Sequence, residues 1–174
     1  MRIALMAVAT ATFLAACGTG PEPKTTASTA AQSTAKHAVA NLASASGSLV
    51  SGKVTVMPMG DGVHLTGTVG GLPANSTHGF HIHEKGDCSA ADASSAGPHF
   101  NPSAAPHGKA ESGTHHAGDM DNVVANAEGV VNLDVHVSGV TLGGGAANDI
   151  AGRALVVHAA PDDYTSQPAG NAGA

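Results

Sequence analysis

Bulky aromatic side chains are scarce in this chain: its 174 residues include no Trp, one Tyr and three Phe. Any hydrophobic core must therefore be assembled from Val, Leu, Ile, Ala and Met. Basic residues are also few, with seven Lys plus Arg against 13 Asp plus Glu and a formal net charge of −6. That balance argues against a nucleic-acid partner, because holding a phosphate backbone needs a basic face. Strong helical periodicity is missing. What the chain has in quantity is Gly, at 23, and His, at 11. Abundant Gly suits an all-β protein with many tight turns. The histidines outnumber the other basic residues combined, and their spacing carries most of the functional information.

The opening residues, MRIALMAVATATFLAAC, put Arg2 before an apolar run that closes on small residues. The run is too short and wrongly flanked for a membrane span and fits a secretory signal. Its end, Leu14-Ala15-Ala16-Cys17, resembles a bacterial lipobox. That resemblance implies removal of residues 1–16 and a lipid on the Cys17 thiol, each buried methylene contributing about 0.8 kcal/mol of anchoring. The membrane is then a partner through the lipid anchor. The expected location is the cell envelope, at the outer membrane and facing the periplasm. Residues 17–46 form the lipidated Cys and a linker. From Gly18 to about Leu42 the composition is Thr, Ser, Ala, Pro and Lys, too polar to offset the entropy of ordering. The stretch reads as a flexible tether, with room for a short helix within Ala30–Ala45.

From about Ser48 the pattern changes. Val63, Leu65, Gly67 and Val69 alternate with His64, Thr66 and Thr68 after the turn Gly60-Asp61-Gly62. Alternation around an Asp-Gly turn signals a hairpin. A second hairpin is expected from Val123–Asn126 through Glu128-Gly129 to Val131–Val137. Ala154 to His158 suits a further strand. The expected domain, residues 47–174, is an antiparallel β-sandwich or barrel. Between Glu84 and Asn122 lies a long stretch without strand periodicity, rich in Gly, Pro, Ser, Asp and His. Loops of this length in compact domains are usually functional, and a metal is the simplest agent to order this one.

In GFHIHE, His81 and His83 are two residues apart, so on a strand they share one face while Ile82 points the other way. Such a pair is a ready chelate for copper or zinc. Downstream follow His99, His107, His116, Asp119 and His158. Three imidazoles and one carboxylate match a tetrahedral zinc shell, and a strand-borne pair with further His matches copper.

GFHIHE, GDC, SAGPHFNP, HG, HxxD and GRALVVH, in that order, resemble copper/zinc superoxide dismutase of the secreted bacterial kind. The resemblance covers residues 47–174 and implies an eight-stranded Greek-key β-barrel or sandwich, immunoglobulin-like, with copper and zinc outside it on long loops. It implies copper binding by His81, His83, His99 and His158, and zinc binding by His99, His107, His116 and Asp119. His99 would be the bridging imidazole and proton donor, and family spacing favours His116 over His115. Asp162 would hydrogen-bond one copper and one zinc histidine. The implied reaction converts two superoxide anions to dioxygen and hydrogen peroxide by copper redox cycling, an antioxidant defence, with Lys85 and Lys109 as candidate helpers in drawing in the anion. His37, His64, His78 and His136 have no place in the pattern: His37 falls in the tether, His64 and His136 read as surface residues and His78 as structural. A homodimer is left open. Glu84 beside His83 invites a zinc-hydrolase reading, but a closed zinc shell leaves no position for water.

The resemblance also implies features that the sequence does not show. In the family a GNAG tail leads to an arginine beside copper, then to a cysteine partner for Cys88, then to a last strand; none precedes Ala174. The expectations that follow are a missing last strand with an open barrel edge, slowed turnover, and an unpaired Cys88. Loss of such a disulfide typically costs about 2–5 kcal/mol. A stop one residue before the expected arginine reads as a truncation of an active enzyme. The alternative is a catalytically weak copper/zinc-binding lipoprotein on the same scaffold.

Overall fold

The computed structural model describes residues 31–173, so the expected signal at residues 1–16 and the expected lipid site at Cys17 lie outside the described residues. No helix among those residues is long and apolar enough to cross a membrane. Among the described residues the elements are eight β-strands and a single 3₁₀ turn at Ser94–Ala96. The strands are β1 (Ala38–Leu42), β2 (Ser51–Met59), β3 (Gly62–Gly70), β4 (Thr77–His78), β5 (Phe80–His83), β6 (Val123–Val124), β7 (Val131–Ser138) and β8 (Ala154–Val157). One antiparallel sheet has the order β1-β2-β3-β7. Two further pairs, β4-β6 and β5-β8, are also antiparallel. The step from β3 to β7 passes over three intervening strands, a Greek-key crossover.

The β2–β3 hairpin forms as the alternation predicts, with Met59 opposite Gly62 across the Gly60-Asp61 turn. Its inward residues Val54, Val56, Val63, Leu65 and Val69 are buried. They pack with Phe80, Ile82, Phe100, Leu133, Val137 and Leu142 into one core, which takes in both described Phe residues.

Two expectations are corrected. The stretch assigned to tether or short helix contains β1, which pairs residue for residue with β2, from Ala38 opposite Val56 to Leu42 opposite Gly52. Ala38, Ala40 and Leu42 pack against the core. Alanine has a weak strand preference, so the partner strand rather than local propensity creates β1. The ordered part therefore starts well before residue 47: the Thr34 and Ala35 amides already bond the Leu142 carbonyl at 3.0 Å. The second hairpin is also different. Its turn exists, with the Asn126 amide bonding the Val130 carbonyl at 2.9 Å, but Val123–Val124 pairs with β4 instead of β7.

The long loop is ordered by continuing the sheet past the outer edge of β5. The Ile82 amide bonds the Gly118 carbonyl at 2.9 Å, and the Phe100 amide bonds the Ile82 carbonyl at 2.8 Å. These bonds set Asp119 opposite His81 and His99 opposite His83. A Cβ on Gly118 would overlap the Ile82 carbonyl, so only glycine permits the approach. Arg153 ties the loop base to β8: its guanidinium stacks 3.6 Å from the Phe100 ring centre and donates to the Glu84 carbonyl at 2.6 Å.

Candidate metal centre

Strand β5 presents His81 and His83 on one face while Phe80 and Ile82 enter the core. The adjoining loop brings His99, His107, His116 and Asp119 beside them, and His158 follows β8 directly. Two groups result in which one donor atom from each residue lies within 4.8 Å of the rest. One is His81, His83, His99 and His158; the other is His99, His107, His116 and Asp119. His99 belongs to both, and all seven residues are buried. His115 joins neither; its Nδ1 instead lies 2.7 Å from the His116 carbonyl.

The surroundings fix which ring nitrogen carries hydrogen. A backbone carbonyl only accepts, so His83 Nδ1–H donates to the Gly97 carbonyl at 2.7 Å and His158 Nδ1–H donates to the Gly173 carbonyl at 2.6 Å. Each Nε2 then keeps a lone pair, yet the two Nε2 atoms face each other at 3.2 Å. Two acceptors in contact inside a protein call for a cation between them. The Asp162 carboxylate receives His81 Nε2–H at 2.8 Å and His107 Nε2–H at 3.0 Å. That leaves His81 Nδ1 and His107 Nδ1 buried without a hydrogen-bond partner, in company with His99 Nε2 and His116 Nδ1. Unpaired buried nitrogens are costly and rare. His107 Nδ1 and His116 Nδ1 lie 3.0 and 3.2 Å from the Asp119 oxygens without forming hydrogen bonds, as donors around a common ion would, and the two donor groups share His99. The donor set fits the metals as well: all-imidazole for copper, three imidazoles with a carboxylate for zinc.

The electrostatics agree. Burial, reinforced by the neighbouring His99 and His158 rings, pulls His81 down to about 3. Burial also takes His83 down to about 4 and lowers His116 and His158. These rings stay neutral, which is the state that binds a metal. Burial works to raise Asp119, but the hydrogen bond from His99 and the amides of His116 and Gly108 outweigh it and hold the carboxyl well below its ordinary range.

Several residues that frame the centre were not singled out as site residues by the sequence. Gln167 clamps the His107 backbone from both sides, accepting from its amide and donating to its carbonyl at 2.9 Å. Asn122 exchanges two hydrogen bonds with the Asp162 backbone, at 2.8 and 2.9 Å. Gly170 sits at φ +68°, and a Cβ there would overlap the Asp162 carboxylate and crowd His107 Nε2. Gly170→Ala is expected to displace Asp162 and lower metal retention about 10–100-fold, the usual cost of disturbing such a support. Metal content after dialysis against a chelator checks this.

A solvent-reaching cavity of about 470 Å³ opens over His83, His99, His116 and His158, with Asp92 and Asn101 among its walls. Neither Lys85 nor Lys109 lines it. Lys109 instead lies 3.7 Å from Asp121 and 5.6 Å from the Tyr164 ring centre. His78 is structural, bonded to the Ser76 hydroxyl at 2.6 Å and to the His158 carbonyl at 2.8 Å. Cys88 is an exposed free thiol.

Residues 50–174 match the family described as copper/zinc superoxide dismutase (SODC). This chain belongs to that family. It is 42% identical over 127 residues to superoxide dismutase [Cu-Zn] 2 of Aquifex aeolicus (strain VF5), covering 71% of this chain and 74% of the relative. Superoxide dismutase [Cu-Zn] 1 of the same organism is 42% identical over 125 residues, covering 70% and 74%. Among solved structures, the crystal structure of the clock protein EA4 superposes with a TM-score of 0.72 at 36% identity, covering 83% of this chain and 92% of that one.

Proposed function

We propose that this protein is a copper- and zinc-dependent superoxide dismutase whose copper is held by His81, His83, His99 and His158. Zinc is held by His99, His107, His116 and Asp119. The observation that carries this reading is the position of His99 in both buried clusters, with its Nδ1 2.8 Å from Asp119 and its Nε2 unpaired on the copper side. Bound copper would supply a one-electron redox couple for superoxide, and zinc, which is redox-silent, would supply fixed charge.

The chain's own contribution is to admit the anion, hold the donors and handle protons. The cavity over His83, His99 and His158 admits a diatomic anion. The carbonyls of Gly97 and Gly173 and the Asp162 carboxylate hold the tautomers that leave lone pairs facing inward. His99 Nε2 faces the copper donors, where it can take up a proton when not bound and deliver it to the second substrate. Two superoxide anions and two protons thereby become dioxygen and hydrogen peroxide.

The leader sequence supports lipid attachment at Cys17, which would tether the domain to a membrane of the cell envelope, facing the periplasm. A second reading, metal retention with weak turnover, is favoured by one observation: among the described residues no Lys or Arg lines the cavity, so these residues leave steering of the anion to the bound metals. Superoxide removal by purified, metal-loaded protein, with and without cyanide, separates the two. A cyanide-sensitive rate far above that of hydrated copper is expected. A rate equal to free copper would sink the enzyme reading and leave the metal-holding one.

A further inference from the structure

The outer face of the four-stranded sheet carries metal-ligating side chains that the buried centre does not use. Val63 and Leu65 of β3, and Leu133 and Val137 of β7, are buried. By alternation His64 and His136 face outward, and they are register partners across the two strands. Met57 of β2 is the register partner of His64 on its other side and is 42% exposed. His37 is exposed and directly precedes β1; continuing the Ala38–Val56 register by one residue sets it opposite Met57. His37, Met57, His64 and His136 therefore form one row, with one residue from each strand or its immediate start. No strand of this sheet supplies a donor to the buried centre.

Register partners have Cβ atoms about 4.5–5.5 Å apart. That separation lets two imidazoles share one ion at bond lengths of about 2.0 Å. The hydrogen bonds orient the rings. His64 Nε2 lies 2.6 Å from Asp134 Oδ1, and His136 Nε2 lies 3.0 Å from Asp61 Oδ1. An ionised carboxylate only accepts, so each Nε2 carries a hydrogen and Nδ1 is the nitrogen left to meet a metal. This is the polarity that Asp162 imposes on His81 and His107 in the buried centre. Two imidazoles backed by carboxylates bind divalent transition ions, with copper strongest in the series, and a neighbouring thioether biases the site further toward copper.

We propose that His64 and His136 are the chelate of a second, exchangeable copper site on the protein surface, with Met57 on the neighbouring strand as its thioether partner. Copper held here sits on a different sheet from the strand pair that carries the buried histidines and exchanges directly with solvent.

Protein already loaded with copper and zinc, titrated with Cu(II) under equilibrium dialysis and followed by electron paramagnetic resonance, tests the proposal. One additional equivalent per chain is expected, with a spectrum distinct from that of the buried copper. His64→Gln and His136→Gln should each weaken it about a hundredfold, the avidity of a second linked donor, and the double variant should lose it. Met57→Leu should weaken Cu(I) in competition with a chromogenic chelator and leave Zn(II) unchanged. Superoxide removal should be unaltered in all four variants, which verifies folding and keeps this test separate from that of the proposed activity. Absence of the extra equivalent, or its survival at equal affinity in the double variant, would overturn the proposal. An unchanged Cu(I) affinity in Met57→Leu would remove Met57 from the site.

Discussion

Asp162→Ala is expected to weaken copper and zinc binding together, by about 10–100-fold each, the range seen when the support of a ligating histidine is removed. Asp162 is fully buried and touches neither cluster of lone pairs directly, yet its two oxygens receive one hydrogen from His81 and one from His107. His81 belongs to the all-histidine group, proposed above for copper, and His107 to the group with Asp119, proposed for zinc. Alanine would leave two buried N–H groups without acceptors, a cost of about 1–3 kcal/mol each. Either ring could then relieve that cost by moving its hydrogen to Nδ1, which removes the lone pair a metal needs. The Tyr164 amide, bonded to Asp162 Oδ1 at 2.7 Å, would also lose its partner, loosening the segment that carries Gly170. Asp162→Asn should separate the two halves, because an amide offers one acceptor and one donor. One histidine keeps its bond while the other meets an N–H, so one metal should be lost preferentially. Competition titrations for each metal would show this, and an alanine variant that lost only one metal would contradict the bridging role.

The parts of this arrangement that were legible in the sequence are those written as side-chain periodicity. His81 and His83 share a face because they sit two apart on a strand, and the alternation of β3 announced its own burial. The identity of the distant donors came from resemblance, since nothing in the spacing of residues 81, 107 and 162 says that a carboxylate will span the two rings. Other parts were illegible in principle. The Gly97 and Gly173 carbonyls fix the tautomers of His83 and His158, and a backbone carbonyl leaves no signature in a sequence. Strand β1 was missed because its inward residues are Ala38, Ala40 and Leu42, small side chains that look like linker until β2 supplies the hydrogen bonds. The pairing of Val123–Val124 with β4 was missed for a related reason: a turn signal says that the chain reverses and leaves open which strand it meets. The row His37, Met57, His64 and His136 depends on register across four strands, so it exists only once β1 is placed.

Metal-stripped protein is expected to lose stability steeply on mild acidification, and loaded protein far less. In the folded chain His81 protonates at about 3 and His83 at about 4, because burial and neighbouring imidazoles oppose the charge. In the unfolded chain both titrate near the ordinary value of about 6.5. Above that value neither state binds the proton and the stability is whole. As pH falls below it, the unfolded chain takes up protons that the folded chain refuses, so stability declines until the folded values are reached. Each site costs about 1.4 kcal/mol per pH unit in this window. Two sites over the 1.5 units from pH 6.5 to pH 5 amount to about 4 kcal/mol, a large share of the roughly 5–15 kcal/mol of a typical domain. His116 and His158, also lowered by burial, act in the same direction. Asp119 adds nothing here: its carboxylate is held below the ordinary range, so its contribution is lost only below about pH 4. A bound metal occupies the lone pairs that protons would take, which shifts the whole decline to lower pH. Melting curves of stripped protein at pH 7 and pH 5 should differ by about 10–20 °C, with the difference largely abolished by saturating copper and zinc. A stripped protein that melted at the same temperature at both values would mean that the histidines charge freely in the folded state, and with that the case for a pre-formed neutral metal shell would fail.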